Sequence, residues 1–267
     1  MGTASGPRPL VLRLPGGAEA RAVCVDSGAE LTTALEALGL RSPVPVVVVV
    51  GGASGLGPRA SGDLLAVVRD GLLAACETTG AVVLDGGTDA GVMALLGQAR
   101  DVGSPVTLVG VAARGTVDLP GEDGREGTAR LEPRHDAFVL VPGDEWGAES
   151  PWIAAVAMVL AGDAPSVTVV LNGGDIAYAD LRHSVSQRRP VVALAGSGRT
   201  ADELVAAVRG QGRDTRAVQL ARSGMVEAVE VAQPDAVRRR IVQLLTGRSS
   251  GPASGGDDRR HDQTPLG

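Results

Sequence analysis

The chain of 267 residues is long enough for one large domain or two small ones, and its 44% hydrophobic content supplies a substantial core. Aromatics make up only 1%, so that core is expected to be Val, Leu and Ala; a formal net charge of −6 argues against general nucleic-acid or acidic-membrane binding while leaving room for a local basic pocket. All 25 basic residues are arginine. Without lysine, a P-loop of the usual kind and Schiff-base or pyridoxal-phosphate chemistry are excluded.

Cys24 and Cys76 are the only cysteines, which reads as reduced, cytoplasmic thiols rather than a disulfide framework. The N-terminus lacks a basic stretch followed by an apolar one, so no secretory signal is expected. No apolar run approaches the roughly 20 residues of a membrane span.

In chain order, residues 10–14 and 21–25 alternate as short strands around Pro15-Gly16-Gly17. Ser27 is placed to cap a helix over 30–40 with Leu31, Leu35 and Leu38 on one face. Residues 1–42 are thus expected to pack on a core domain spanning 43–246. That domain opens with Pro45 and five valines, apolar on both faces, as in a central parallel strand covered on both sides. The run ends in Gly51-Gly52-Ala53-Ser54-Gly55-Leu56-Gly57. A helix over 62–79 follows, then a strand over 81–84, a Gly-rich turn over 85–91 and a helix over 92–100. Strands are expected over 106–112 and 137–141, separated by a Gly- and charge-rich surface excursion or lid over 114–132. After Pro142-Gly143, Pro151 suits a first helical position for a helix over 152–160. The pattern continues with a strand 166–171, a helix 176–188, a strand 190–195, a helix 201–209, a short strand 217–220 and a helix 234–245. Residues 247–267, rich in Gly, Ser, Asp and Arg, read as a disordered tail.

Strands alternating with helices predict an α/β, Rossmann-like doubly wound fold with a mostly parallel sheet and helices on both faces. Ligands bind such sheets beyond the carboxyl ends of the strands. The glycine-rich junctions at 51–57, 85–91, 142–149, 172–174 and 196–199 all follow strands, so they are expected to share one rim. Their glycines admit positive φ and close ligand approach, and helix N-termini beside them present free N–H groups to anions. Candidate ligand contacts are therefore Gly51, Gly52, Ala53, Gly86, Gly87, Thr88, Gly91, Gly143, Trp146, Gly147, Glu149, Gly173, Gly196, Ser197, Gly198 and Arg199. Thr88 and Asp89 can cap the helix that follows them. Glu149 can accept from a ribose hydroxyl, act as a general acid/base, or complement a helix dipole. Trp146, in a glycine turn, reads as a base-stacking wall or lid, and Arg199, after Gly-Ser-Gly, as a phosphate partner. Ser197 reads as a phosphate donor or cap rather than a nucleophile.

Other patterns carry less. Gly51-x-x-x-Gly55-x-Gly57 has the spacing of a short-chain dehydrogenase turn, but Tyr178 is followed four residues later by Arg182, which stays protonated and cannot shuttle a proton. Gly247-Arg-Ser-Ser-Gly251 lies in the tail with no strand to support a nucleophile elbow. His135, His183 and His261 are too scattered for a zinc site and read as surface or satisfied histidines.

Taken in order, Val49-Val50-Gly51-Gly52-Ala53, Asp85-Gly86-Gly87-Thr88-Asp89-Ala90-Gly91-Val92, Gly110 to Ala112 with Gly115, Leu131-Glu132-Pro133-Arg134-His135, Phe138-Val139-Leu140-Val141-Pro142, Trp146-Gly147-Ala148-Glu149 and Ala195-Gly196-Ser197-Gly198-Arg199 resemble the SLOG domain at the N-terminus of TRPM channels, and more closely its stand-alone prokaryotic relatives. The resemblance covers residues 43 to 209. It implies a Rossmann-like fold that binds a nucleotide-derived ligand of the ADP-ribose or cyclic ADP-ribose type. The wider superfamily includes LOG-type phosphoribohydrolases with the signature Pro-Gly-Gly-x-Gly-Thr-x-x-Glu. Here the matching stretch, Pro142-Gly-Asp-Glu-Trp-Gly-Ala-Glu149, replaces the second Gly and the Thr and alters the glutamate spacing. Binding is therefore the leading expectation, with N-glycosidic hydrolysis by Glu149 as the alternative. No cofactor and no metal are expected; the partner is a nucleotide-derived small molecule, not nucleic acid or membrane. Related folds often form homo-oligomers, and the sequence leaves that state open.

Overall fold

The five valines of β3 (Val46–Gly51) are all buried, and each sends its side chain to one of two cores in strict alternation. Val46, Val48 and Val50 enter one cluster; Val47 and Val49 enter the other. That is the signature of a strand covered on both faces, and the computed structural model places β3 deep within a nine-stranded sheet. The structure describes residues 7–52, 62, 64–122 and 124–247.

The remaining strands are β1 (Leu10–Arg13), β2 (Glu19–Cys24), β4 (Val82–Asp85), β5 (Leu108–Ala113), β6 (Val117–Asp118), β7 (Ala129–Arg130), β8 (Ala137–Val141), β9 (Ser166–Leu171), β10 (Val191–Ala195) and β11 (Val226–Glu230). Their order in the large sheet is β1-β2-β8-β5-β4-β3-β9-β10-β11, with β6 and β7 forming a separate small pair. Every pairing in the large sheet is parallel except β1 with β2. The chain steps outward from β3 through β4 and β5, then returns to lay β9 on the other side of β3. Strand order reverses between β3 and β9, and at such a reversal the flanking connections diverge and leave a crevice.

One face carries α1 (Leu31–Ala37), α4 (Ser150–Ala161), α5 (Asp175–Ser186), α6 (Arg199–Val208) and α7 (Thr215–Ala221). The other carries a π-helical stretch (Val67–Leu73) running into α2 (Ala74–Thr79), α3 (Gly91–Ala99) and α8 (Pro234–Thr246). A third cluster, built on Leu12, Ala22, Phe138 and Leu140, is closed by Val117 and Leu131. The expected α/β, doubly wound architecture is therefore the observed one.

Four local expectations change. Residues 217–220 are helical: the Asp214 carboxylate accepts from the Arg216 and Ala217 N–H groups and starts α7 there. The last strand is β11 instead, paired parallel to β10. Segment 114–132 is more than a surface excursion, because Thr116, Val117, Leu131 and Glu132 are buried and Thr88 bridges Leu131. Thr88 and Asp89 do not cap α3; the cap position is Ala90, without a side-chain bond, and the Asp89 N–H donates to Arg130 O. Ser27 likewise makes no capping bond; its hydroxyl and the Asp26 N–H both go to the Glu30 carboxylate, and α1 ends at Ala37.

Candidate functional site

A cleft of about 440 Å³ opens at the carboxyl end of the sheet, over the β3/β9 reversal. Gly51 and Gly52 reach it from β3, Gly86 and Thr88 from β4, Trp146 and Glu149 from the turn after β8, Gly174 from the turn after β9, and Arg199 from the start of α6. Turns at 51–52, 86–88, 146–149 and 174 thus do share one rim. Gly51 has a specific reason: a Cβ there would run into Val92, so α3 can close on β3 only over a glycine. Gly87, at φ 68°, packs its Cα against Gly110, where a Cβ would stand 2.8 Å from the Gly110 Cα.

Gly87, Gly91, Gly143, Gly147 and Gly173 are not among the cleft-lining residues; all have positive φ and shape the turns. The Gly87 N–H donates to Asp85 at 2.6 Å, and the Gly147 N–H donates to Glu149 Oε2 at 3.0 Å. Gly196, Ser197 and Gly198 are not brought into the wall. The N–H groups of Gly196 and Gly198 donate to the Asp202 carboxylate at 2.7 and 3.1 Å. Ser197 is buried, its hydroxyl donating to Leu194 O and accepting from the Asn172 N–H. This turn spends its donors on starting α6. Ala53 falls outside the described residues.

Arg199 lays its guanidinium across the start of α5, with Nη2 about 3.0 Å from where a Cβ of Gly174 would stand. The N-termini of α4 and α5 open on the cleft through Glu149 and Asp175, and such termini favour anions. At the mouth, Trp146 is 44% exposed and ties its indole N–H to Gly127 O at 3.0 Å; Ile176 of α5, 39% exposed, faces the same opening. Trp146 is therefore a mouth residue joined to segment 114–132.

Sequence reasoning missed Asp180, which lines the floor of the cleft from α5. Burial pushes its carboxyl up to about 7, the Glu149 charge adds to the rise, and the nearby Ser150 hydroxyl opposes it. Burial also raises the Glu149 carboxyl, against the N–H groups that stabilise its ionised form. The signal that could have found Asp180 is its spacing: with Ile176 and Ala177 it lies on the cleft-facing side of α5, where a solvated carboxylate has no place.

Beneath the Gly86-Gly87 turn sits a second buried group. His135 Nε2 contacts the two Asp85 oxygens at 3.0 and 3.1 Å, and its Nδ1 contacts Glu132 Oε2 at 2.8 Å. The ring stacks on Phe138 with centroids 5.6 Å apart. Burial works against the charged imidazole, but Asp85 and Glu132 override it and hold His135 up at about 9. His135 is thus a satisfied histidine, as expected, though of the buried and charged kind. It braces the turn through Asp85, which also accepts from the Gly87 N–H.

Comparison with known proteins matches residues 44–239 to the family described as SLOG in TRPM, prokaryote. The chain belongs to this family. Among curated relatives, this SLOG chain is 32% identical over 221 residues to a transient receptor potential cation channel subfamily M member-like 2 from Nematostella vectensis, covering 66% of this chain and 14% of the relative. It is 29% identical over 201 residues to subfamily M member 2 from Mus musculus, covering 61% and 13%. The SLOG chain thus spans about one-seventh of the length of these relatives. A solved structure, that of TM1055, is similar at a TM-score of 0.49 and 22% identity, covering 75% of this chain and all of that one. Among the described residues, no helix is long and apolar enough to cross a membrane, and no group of three or more His, Cys, Asp or Glu could hold a metal ion.

Proposed function

We propose that this SLOG chain is a binding domain that senses a nucleotide-derived ligand of the ADP-ribose or cyclic ADP-ribose type. The observation that carries the reading is the convergence of glycine turns from both halves of the sheet, with Arg199 beside them, on one cleft at the strand-order reversal. Backbone N–H groups of those turns and the guanidinium suit a diphosphate. Trp146 and Ile176 supply apolar walls for a base. A cleft of about 440 Å³ falls in the ordinary range for small-molecule sites, roughly 300–1,000 Å³. Membership in this family supports the same reading, since the resemblance implies such ligands.

A second reading is N-glycosidic hydrolysis of a nucleotide. It is favoured by one observation, the raised Glu149 carboxyl close to a second raised carboxyl, Asp180. Such a pair suits acid/base work on a glycosidic bond.

The test is a thermal-shift screen of the full chain against ADP-ribose, cyclic ADP-ribose, NAD and AMP, with each mixture then separated by chromatography. Ligand at 100 times its Kd adds about 2.7 kcal/mol, a rise in Tm of roughly 5–10 °C for a chain of this size. A shift with intact ligand is expected. Free base and ribose phosphate, abolished by Glu149→Gln, establish the hydrolase instead. Neither shift nor products overturns both readings.

A further inference from the structure

Buried polar atoms nearly always find partners. Among the described residues, the unpartnered ones include Thr88 Oγ1, Ser150 Oγ and Asp180 Oδ1. These three come from three separate elements: the turn after β4, the first residue of α4 and the second turn of α5. Thr88 and Asp180 line the cleft, and Ser150 lies between two lining residues, Glu149 and Ile153, with its hydroxyl near the Asp180 carboxyl but closing no hydrogen bond. Thr88 and Ser150 are each 2% exposed. Leaving such groups unpaired costs about 1–3 kcal/mol apiece, so a fold that lines the cleft with Thr88 and Asp180 and sets Ser150 beside Asp180 suits a polar ligand there.

We propose that this part of the cleft is a subsite for the cis-diol of a furanose ring, with Asp180 as the residue that reads the diol; the assignment rests on the nucleotide-derived ligand proposed above. Two carboxyl groups, Glu149 and Asp180, disfavour a phosphate beside them, whereas Arg199 and the Gly51-Gly52 and Gly174 turns of the same lining suit one. The apolar walls Trp146 and Ile176 lie at the mouth and suit a base. What remains in the lining is the Asp180 carboxyl with an open acceptor oxygen, the Ser150 hydroxyl beside it and the Thr88 hydroxyl, which both donates and accepts. Vicinal ribose hydroxyls match that set, by the same chemistry through which an acidic side chain reads a ribose hydroxyl in dinucleotide folds.

The probes are ADP-ribose and its two monodeoxy analogues, each lacking the 2′-hydroxyl of one ribose, titrated calorimetrically into the full chain. The wild type is expected to bind one analogue at least tenfold more weakly than ADP-ribose. Asp180→Ala is expected to lose tenfold or more in ADP-ribose affinity and to bind all three probes within twofold of one another. Asp180→Asn, which keeps the shape and one acceptor, recovers part of the discrimination, and neither variant lowers Tm. A wild type indifferent to both missing hydroxyls, or an Asp180→Ala variant that discriminates as the wild type does, overturns the diol subsite while leaving the binding reading intact. Failure of the wild type to bind any of ADP-ribose, cyclic ADP-ribose, NAD or AMP overturns both.

Discussion

Two single residues make stability fall as pH rises, each in its own window. The Asp180 carboxyl is raised from 3.8 to about 7 by burial, so between those values the folded state holds a proton that the unfolded state releases. Its folded form is therefore at no disadvantage below pH 4, and stability falls as pH climbs toward 7, by up to about 4 kcal/mol. His135 is raised from 6.5 to about 9. Its contribution is fully present below pH 6.5 and is lost as pH rises through 9, on the order of 3 kcal/mol. Chemical denaturation from pH 4 to 10 should show two descending limbs. Asp180→Asn should remove the lower limb, raise stability at pH 8 and leave the upper limb in place. His135→Gln should do the reverse at a cost of about 3–5 kcal/mol at neutral pH, because Asp85 and Glu132 are left buried without their counter-charge. A lower limb that persists in Asp180→Asn would show that another group carries the proton.

At the scale of elements, the backbone of the site was legible and its side chains from helix interiors were not. β3, β8 and β9 are buried on both faces, so their sequences are largely apolar runs that end in a glycine or are separated from one by a single residue. Asp180 shares a face of α5 with Ile176 and Ala177, a spacing visible in the sequence, but which way that face turns is set by the packing of α5 over the cleft. Ala217-Val-Gln-Leu220 fits either periodicity, and the Asp214 cap decides for helix. Segment 114–132 is a third case. Its composition reads as loop, yet Leu131 pairs with Thr88 and the Arg130 carbonyl receives the Asp89 N–H, so it braces the same turn that lines the cleft. Trp146 joins that segment to the mouth through Gly127, which makes the indole a reporter. In a Trp152→Phe background, where Trp146 is the remaining tryptophan, saturating ADP-ribose should change its emission, and Trp146→Ala should weaken binding about tenfold. Emission that ignores a bound ligand would take Trp146 off the site.

At the scale of the whole molecule, the cleft lies across a seam. Gly51, Gly86 and Glu149 come from the side of the sheet containing β3, β4 and β8, whereas Gly174 and Arg199 come from the side containing β9 and β10. β3 and β9 are paired along six residues, from Val46↔Ser166 to Gly51↔Leu171, so the two sides are hydrogen-bonded together below the rim and part only above it. A ligand seated on one set of turns would stabilise one side; a ligand spanning a diphosphate must touch both. Hydrogen exchange separates these cases, because amides open locally with their own free energies and a ligand protects those whose opening it blocks. With ADP-ribose bound, slowed exchange is expected together at Gly52, at Gly86 and across the first turn of α5 from Asp175 to Tyr178. The amides of β1 and β2, at the far edge of the sheet, should keep their free-state rates apart from any global term. Protection confined to one side of the β3/β9 seam would mean that the ligand occupies half the cleft, and the diphosphate would then have to be held by residues other than the pair of turns and Arg199.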